Sequence, residues 1–66
     1  MANYTKQVLE STLLKLMKTH KLNDISVKQL VAECGMNRKT FYYHYGSIAD
    51  MLMDMLEREL RAAVAH

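Results

Sequence analysis

Between residues 37 and 45 the chain sets side chains that donate hydrogen bonds or carry charge almost without a break. They are Asn37, Arg38, Lys39, Thr40, Tyr42, Tyr43 and His44, interrupted only by Phe41. These residue types together suit one kind of surface. Arg and Lys donate to guanine O6 and N7, Asn pairs with adenine, and Thr and Tyr hydroxyls reach phosphate oxygens. Catalysis fits poorly: no serine, cysteine or aspartate has an evident base partner, and there is no glycine-rich phosphate loop, so the chain does not read as an enzyme. His20, His44 and His66 lie far apart without cysteine partners at ligand spacing, so neither metal nor cofactor is expected. The lone Cys34 excludes an internal disulfide and reads as a small buried filler.

Side chains that must reach outward together need a rigid carrier, and the spacing supplies a helix over 37–45. Asn37 can cap it, and Phe41 and Tyr45, four residues apart, face inward. A helix polar around most of its circumference buries little and needs another reason to exist. A groove lined with phosphates and base edges is one; a solvated surface helix whose tyrosines pack on neighbours is the competing reading. Just upstream, Ser26 followed by Gln29 is the reciprocal capping pattern, opening a helix over 26–34 with Val27, Leu30 and Val31 on its apolar face. Gly35 ends it in a left-handed turn. Two short helices around Cys34-Gly35-Met36 form a helix-turn-helix, with Leu30 and Phe41 as its internal packers.

Two longer helices must support that pair. The first, about 4–20, repeats Val8, Leu9, Thr12, Leu13, Leu16 and Met17 at three- and four-residue spacing. The last, 47–65, opens on Ser47 with Asp50 and carries Ile48, Met51, Leu52, Met55, Leu56, Leu60 and Val64 in a broad stripe. That is more apolar surface than three short helices can cover, so some belongs against the first helix and some to an interface. Of the tyrosines, Tyr4 and Tyr45 read as packing, Tyr42 and Tyr43 as contacts. The fold class is therefore all-α, a small bundle of three to four helices containing a helix-turn-helix.

Size and composition agree. The 66 residues are half apolar and 24% charged, with no proline and two glycines, which suits one helical domain and excludes a two-domain enzyme. No stretch approaches a membrane span and no signal peptide opens the chain, so a cytoplasmic protein without a membrane partner is expected. The net charge of +2 averages two regions. Residues 1–49 carry seven Lys and Arg against three Asp and Glu, and residues 50–66 carry two against four. A basic front suits an anionic partner.

The run from Ile25 to Leu52 resembles the N-terminal DNA-binding domain of the TetR family of bacterial transcriptional regulators, a homeodomain-like helix-turn-helix. Gly35, Thr40, Phe41, Tyr42, His44 and Leu52 match the family pattern directly. Cys34, Met36, Asn37 and Tyr45 stand near its usual Ala, Val, Ser and Phe. The stretch from Cys34 to His44, with Ile48 following, is similar to a branch that includes activators of dihydroxyacetone kinase operons. The resemblance implies phosphate contacts at Thr40, Tyr42 and His44, base-edge contacts at Arg38, Lys39 and Tyr43, and an operator-edge contact at Lys28. Lys39 departs from the small residue usual there, and Ile48 from the usual lysine. The loss of that lysine leaves the N–H groups of the fourth helix as donors.

The resemblance also implies a palindromic double-stranded operator and a homodimeric full-length parent. A chain of this length is expected to be the headpiece alone (residues 1–66), monomeric or weakly dimeric, lacking the effector and dimerisation domain. The alternative is a small protein-interaction module that uses the apolar face of the last helix.

Overall fold

The computed structural model describes residues 4–64. Among them lie four α-helices and no strand: α1 (Tyr4–Met17), α2 (Val27–Cys34), α3 (Arg38–His44) and α4 (Ile48–Val64), with a single 3-10 turn at Leu22–Asp24. The all-α helix-turn-helix expected from the residues is the fold observed. The last helix was expected to end at residue 65, which is outside the described residues.

Local chemistry sets most of the boundaries. Ser26 Oγ accepts from the Gln29 N–H at 3.0 Å and so starts α2. Asn37 Oδ1 does the same for Thr40 at 2.9 Å and starts α3, and Ser47 Oγ accepts from Asp50 N–H at 3.0 Å at the head of α4. Each satisfies one of the N–H groups that a helix start leaves without a partner. Gly35 ends α2 at φ 75°, ψ 23°, the left-handed region that glycine enters without steric cost. There its N–H donates to Ala32 O, and Met36 N–H donates to Val31 O at 2.8 Å, the paired bonds of a Schellman ending.

The first helix is shorter than its 4–20 pattern. After Met17 the backbone tightens: Lys18 N–H donates to Lys15 O and Thr19 N–H to Leu16 O, both bonds spanning three residues. Bonds of this kind are common in the last turn of an α-helix, and the final one here, His20 N–H to Leu16 O at 2.9 Å, again spans four residues. His20 Nδ1 lies 3.2 Å from Leu16 O and closes the end.

The core joins all four helices. Leu9, Leu13, Leu16, Ile25, Leu30, Val31, Phe41, Tyr45 and Met51 are buried, with Val27, Cys34, Met36, Ile48 and Met55 packed against them. Fully burying a residue such as Leu9 or Phe41 contributes about 1.5–3 kcal/mol. Thr12 is buried too, its hydroxyl satisfied by Val8 O at 2.7 Å. Tyr4, by contrast, is 71% exposed and does not pack. On α4 the apolar stripe divides as its breadth suggested: Met51 is in the core, while Met53, Leu56, Leu60 and Val64 remain exposed.

Candidate nucleic-acid interface

Phe41 decides which way α3 faces. It is fully buried, and Tyr45 one turn later is 6% exposed, so the opposite side of the helix must point outward at 100° per residue. Lys39 and Tyr43 lie there, and Tyr43 is 85% exposed. Arg38 and Tyr42 occupy one flank and are exposed; Thr40 and His44 occupy the other, half-buried. The Tyr42 ring meets Phe41 edge-on at 5.3 Å, and the rings of Tyr43 and His44 meet edge-on at 5.1 Å. These contacts orient aromatic side chains that are otherwise free to swing.

The eight expected residues do not form one cluster. Lys39, Thr40, Tyr43 and His44 line a concavity of about 430 Å³. Asn37, Arg38 and Tyr42 stand outside its lining on the same short helix, and Lys28 projects from α2, exposed. Asn37 and Thr40 are already engaged with each other. Besides the cap, the Thr40 hydroxyl donates to Asn37 Oδ1 at 3.1 Å. A phosphate contact from Thr40 therefore requires its hydroxyl proton to swing from one acceptor to another, while the Asn37 amide keeps its NH₂ free to donate.

The concavity has one lining residue that the sequence reading passed over, Thr5 in the first turn of α1. No local signal marks it, because its neighbours on α3 lie more than thirty residues away. Gln29 also departs from expectation. Its N–H takes the Ser26 cap, but its side-chain amide leaves Ser26 and lies 3.3 Å from His20 Nε2. The capping box is half formed, and the other half ties α2 to the end of α1.

Behind α3, the Tyr45 hydroxyl donates to Glu10 Oε2 at 3.2 Å, and Arg58 Nη2 donates to that same oxygen. Burial, reinforced by the charge and hydrogen bond of Glu10, pushes the Tyr45 phenol from 10.0 up to about 12. The hydrogen bond from Arg58 to Glu10 holds that guanidinium in its charged form even more firmly than usual.

Elsewhere, Leu14, Met17, Leu52, Met55 and Leu56, together with Glu10, Arg58 and Glu59, line a largely apolar groove of about 410 Å³ between α1 and α4, which includes none of the eight expected contact residues. Among the described residues no cluster of His, Cys, Asp and Glu could hold a metal ion, and no helix is long and apolar enough to cross a membrane.

A family model described as bacterial regulatory proteins, tetR family, matches residues 11–55. That span takes in α2, the turn, all of α3 and the first half of α4. No curated protein and no solved structure matches the chain.

Proposed function

The chain belongs to the tetR family of bacterial regulatory proteins, and from that premise we propose that it reads double-stranded DNA in a sequence-specific manner, with α3 in the major groove. Membership makes it a DNA-binding helix-turn-helix of a transcriptional regulator. The observation that carries the finer reading is the outward face of α3, where donors and cations stand exposed on a helix anchored from behind by Phe41 and Tyr45. An exposed face of that composition gains little from water that a solvated loop would not also gain, and gains much from phosphates and base edges.

In this reading Arg38, Lys39 and Tyr43 face base edges, with bidentate contacts from Arg38 setting part of the preference. Tyr42, His44 and, after its hydroxyl swings, Thr40 hold backbone phosphates. Asn37 contributes its free amide, and Lys28 reaches the edge of the site from α2. The first N–H groups of α4 stand in for the lysine that Ile48 replaces. Two copies reading a palindrome need recognition helices about 34 Å apart. A single copy reads one half-site, weakly, so dimerisation sets the useful affinity. Within the family the run from Cys34 to His44 supports placement beside the activators of dihydroxyacetone kinase operons, and the site of action is the cytoplasm.

Titration with duplex DNA at two salt concentrations tests the reading. Each phosphate neutralised contributes about −0.9 to the slope of log K against log salt. Affinity that ignores salt would refute it. The exposed groove between α1 and α4 favours a second reading, a protein-interaction module. That reading predicts a partner displaced by changes at Leu14 or Leu56 and indifferent to Arg38 and Lys39.

A further inference from the structure

α1, α4 and the end of α3 converge on the carboxylate of Glu10, one of the three acids among residues 1–49. The Glu10 side chain is 17% exposed on α1. Its Oε2 accepts from the Tyr45 hydroxyl at the end of α3 and from Arg58 on α4. Arg58 also lies 3.3 Å from Asp54 Oδ2, a buried oxygen with no hydrogen bond, and Lys6 of α1 approaches that same atom at 4.0 Å. The Lys6 ammonium sits 5.4 Å from the centre of the Tyr45 ring. Lys6, Glu10 and Arg58 fall outside the span of the family match, whereas Tyr45 and Asp54 lie within it.

Its position gives it a mechanical consequence. α3 has seven residues, and Phe41 is its only buried one. A short helix held at one point is free to roll about that point. Tyr45, the capping residue one turn later, supplies the second point, and its ring meets Phe41 at 5.7 Å. What fixes the far end of Tyr45 is neither α2 nor α3 but the oxygen of Glu10. A roll of roughly 10° moves side-chain tips at the ~6 Å outer radius of a helix by about 1 Å. That distance separates a formed hydrogen bond from a lost one.

We infer that Glu10 is a positioning residue for the recognition helix: its carboxylate, held by Arg58 of α4, fixes the roll of α3 through the Tyr45 hydroxyl. The inference rests on the DNA-reading role proposed above. It assigns Glu10 no contact with DNA. Its role is to align Arg38, Lys39 and Tyr43 with base edges, so its loss is felt most where alignment matters most. Phosphate oxygens repeat along the backbone whatever the sequence, so contacts to them tolerate a rolled helix; contacts to a particular base edge do not.

The test uses the full chain, a duplex selected by the native chain from a random pool, and an unselected random duplex. Tyr45→Phe keeps the ring and removes the tie. Its affinity for the selected duplex should fall about tenfold while its affinity for the random duplex changes less than twofold. Glu10→Gln keeps an acceptor oxygen for Tyr45 and should lose much less than Glu10→Ala, which loses both partners. Amide hydrogen exchange of the free variants gives a second measurement. Residues 40–44 should exchange faster in Tyr45→Phe and Glu10→Ala, while residues 30–34 of α2 keep native protection. A native selected-to-random ratio in Tyr45→Phe overturns the inference, as does equal loosening of α2 and α3. If the native chain binds neither duplex, the DNA reading is what fails, and the exchange pattern alone then decides whether Glu10 restrains α3.

Discussion

Asn37 holds two roles that a substitution series can separate. Its Oδ1 accepts from both the Thr40 N–H and the Thr40 hydroxyl, and its amide is exposed where DNA is proposed to lie. Asn37→Ala removes the cap, at about 1 kcal/mol. In a domain of this size that lowers the melting temperature by roughly 4–8 °C. Asn37→Asp keeps an acceptor in the same place and adds a negative charge to a helix N-terminus, where it gains about 0.3–1 kcal/mol. The same charge faces DNA phosphates. At roughly 6 Å in water each phosphate repels it by about 0.7 kcal/mol, a threefold loss of affinity apiece. Stability and binding therefore move in opposite directions: Asn37→Asp melts at or above the native temperature yet binds duplex more weakly. Asn37→Ser keeps the cap and so melts near the native temperature, but gives up the amide donor and binds more weakly than the native chain. Thermal unfolding followed by circular dichroism, with duplex titrations at one salt concentration, reads both quantities. An aspartate variant as unstable as the alanine variant would refute the cap argument, and one that binds DNA as tightly as the native chain would remove Asn37 from the interface.

Gly35→Ala should cost about 1–2 kcal/mol, all of it backbone strain at φ 75°, since an added Cβ there meets no atom within 4 Å; urea unfolding that shows no loss contradicts the left-handed turn. Tyr42→Phe should weaken binding about equally for every duplex, whereas Arg38→Ala and Lys39→Ala should also change which duplexes a random pool yields. The reverse pattern would exchange their assignments. Because the Tyr45 phenol is pushed up to about 12, folding favours its neutral form. That stability is fully present below about pH 10 and is lost as pH rises through about 12, with an upper bound of about 2–3 kcal/mol. Urea unfolding of Tyr45→Phe beside the native chain between pH 9 and 12 isolates it; parallel curves would deny the phenol any part in the alkaline loss.

Ser26, Asn37, Ser47 and Gly35 announced the start and end of their helices in the sequence itself, and the structure places each where its chemistry demanded. Their bonds join residues three to five apart, so residue type and spacing suffice. Phe41 and Tyr45 were legible as the inward pair for the same reason, and with them the outward direction of Lys39 and Tyr43. Tyr4 was misread because aromatic character signals burial only where a neighbour covers it, and Tyr4 stays 71% exposed. The expected helix ran three residues too far, to His20, although its apolar repeat stops at Met17, where the structure also ends α1.

Thr5 beside α3, the Gln29 amide drawn away from Ser26 to His20, and the convergence of Tyr45 and Arg58 on Glu10 were settled only by tertiary structure. Glu10 meets partners 35 and 48 residues along the chain, too far for any local pattern to pair them. The sequence by itself determined the helices, their caps and the donors that α3 presents. Packing of α1 against the ends of α3 and α4 decided how that helix is held. A cap is a bond between neighbours, whereas a helix's roll depends on whichever side chains the core brings behind it.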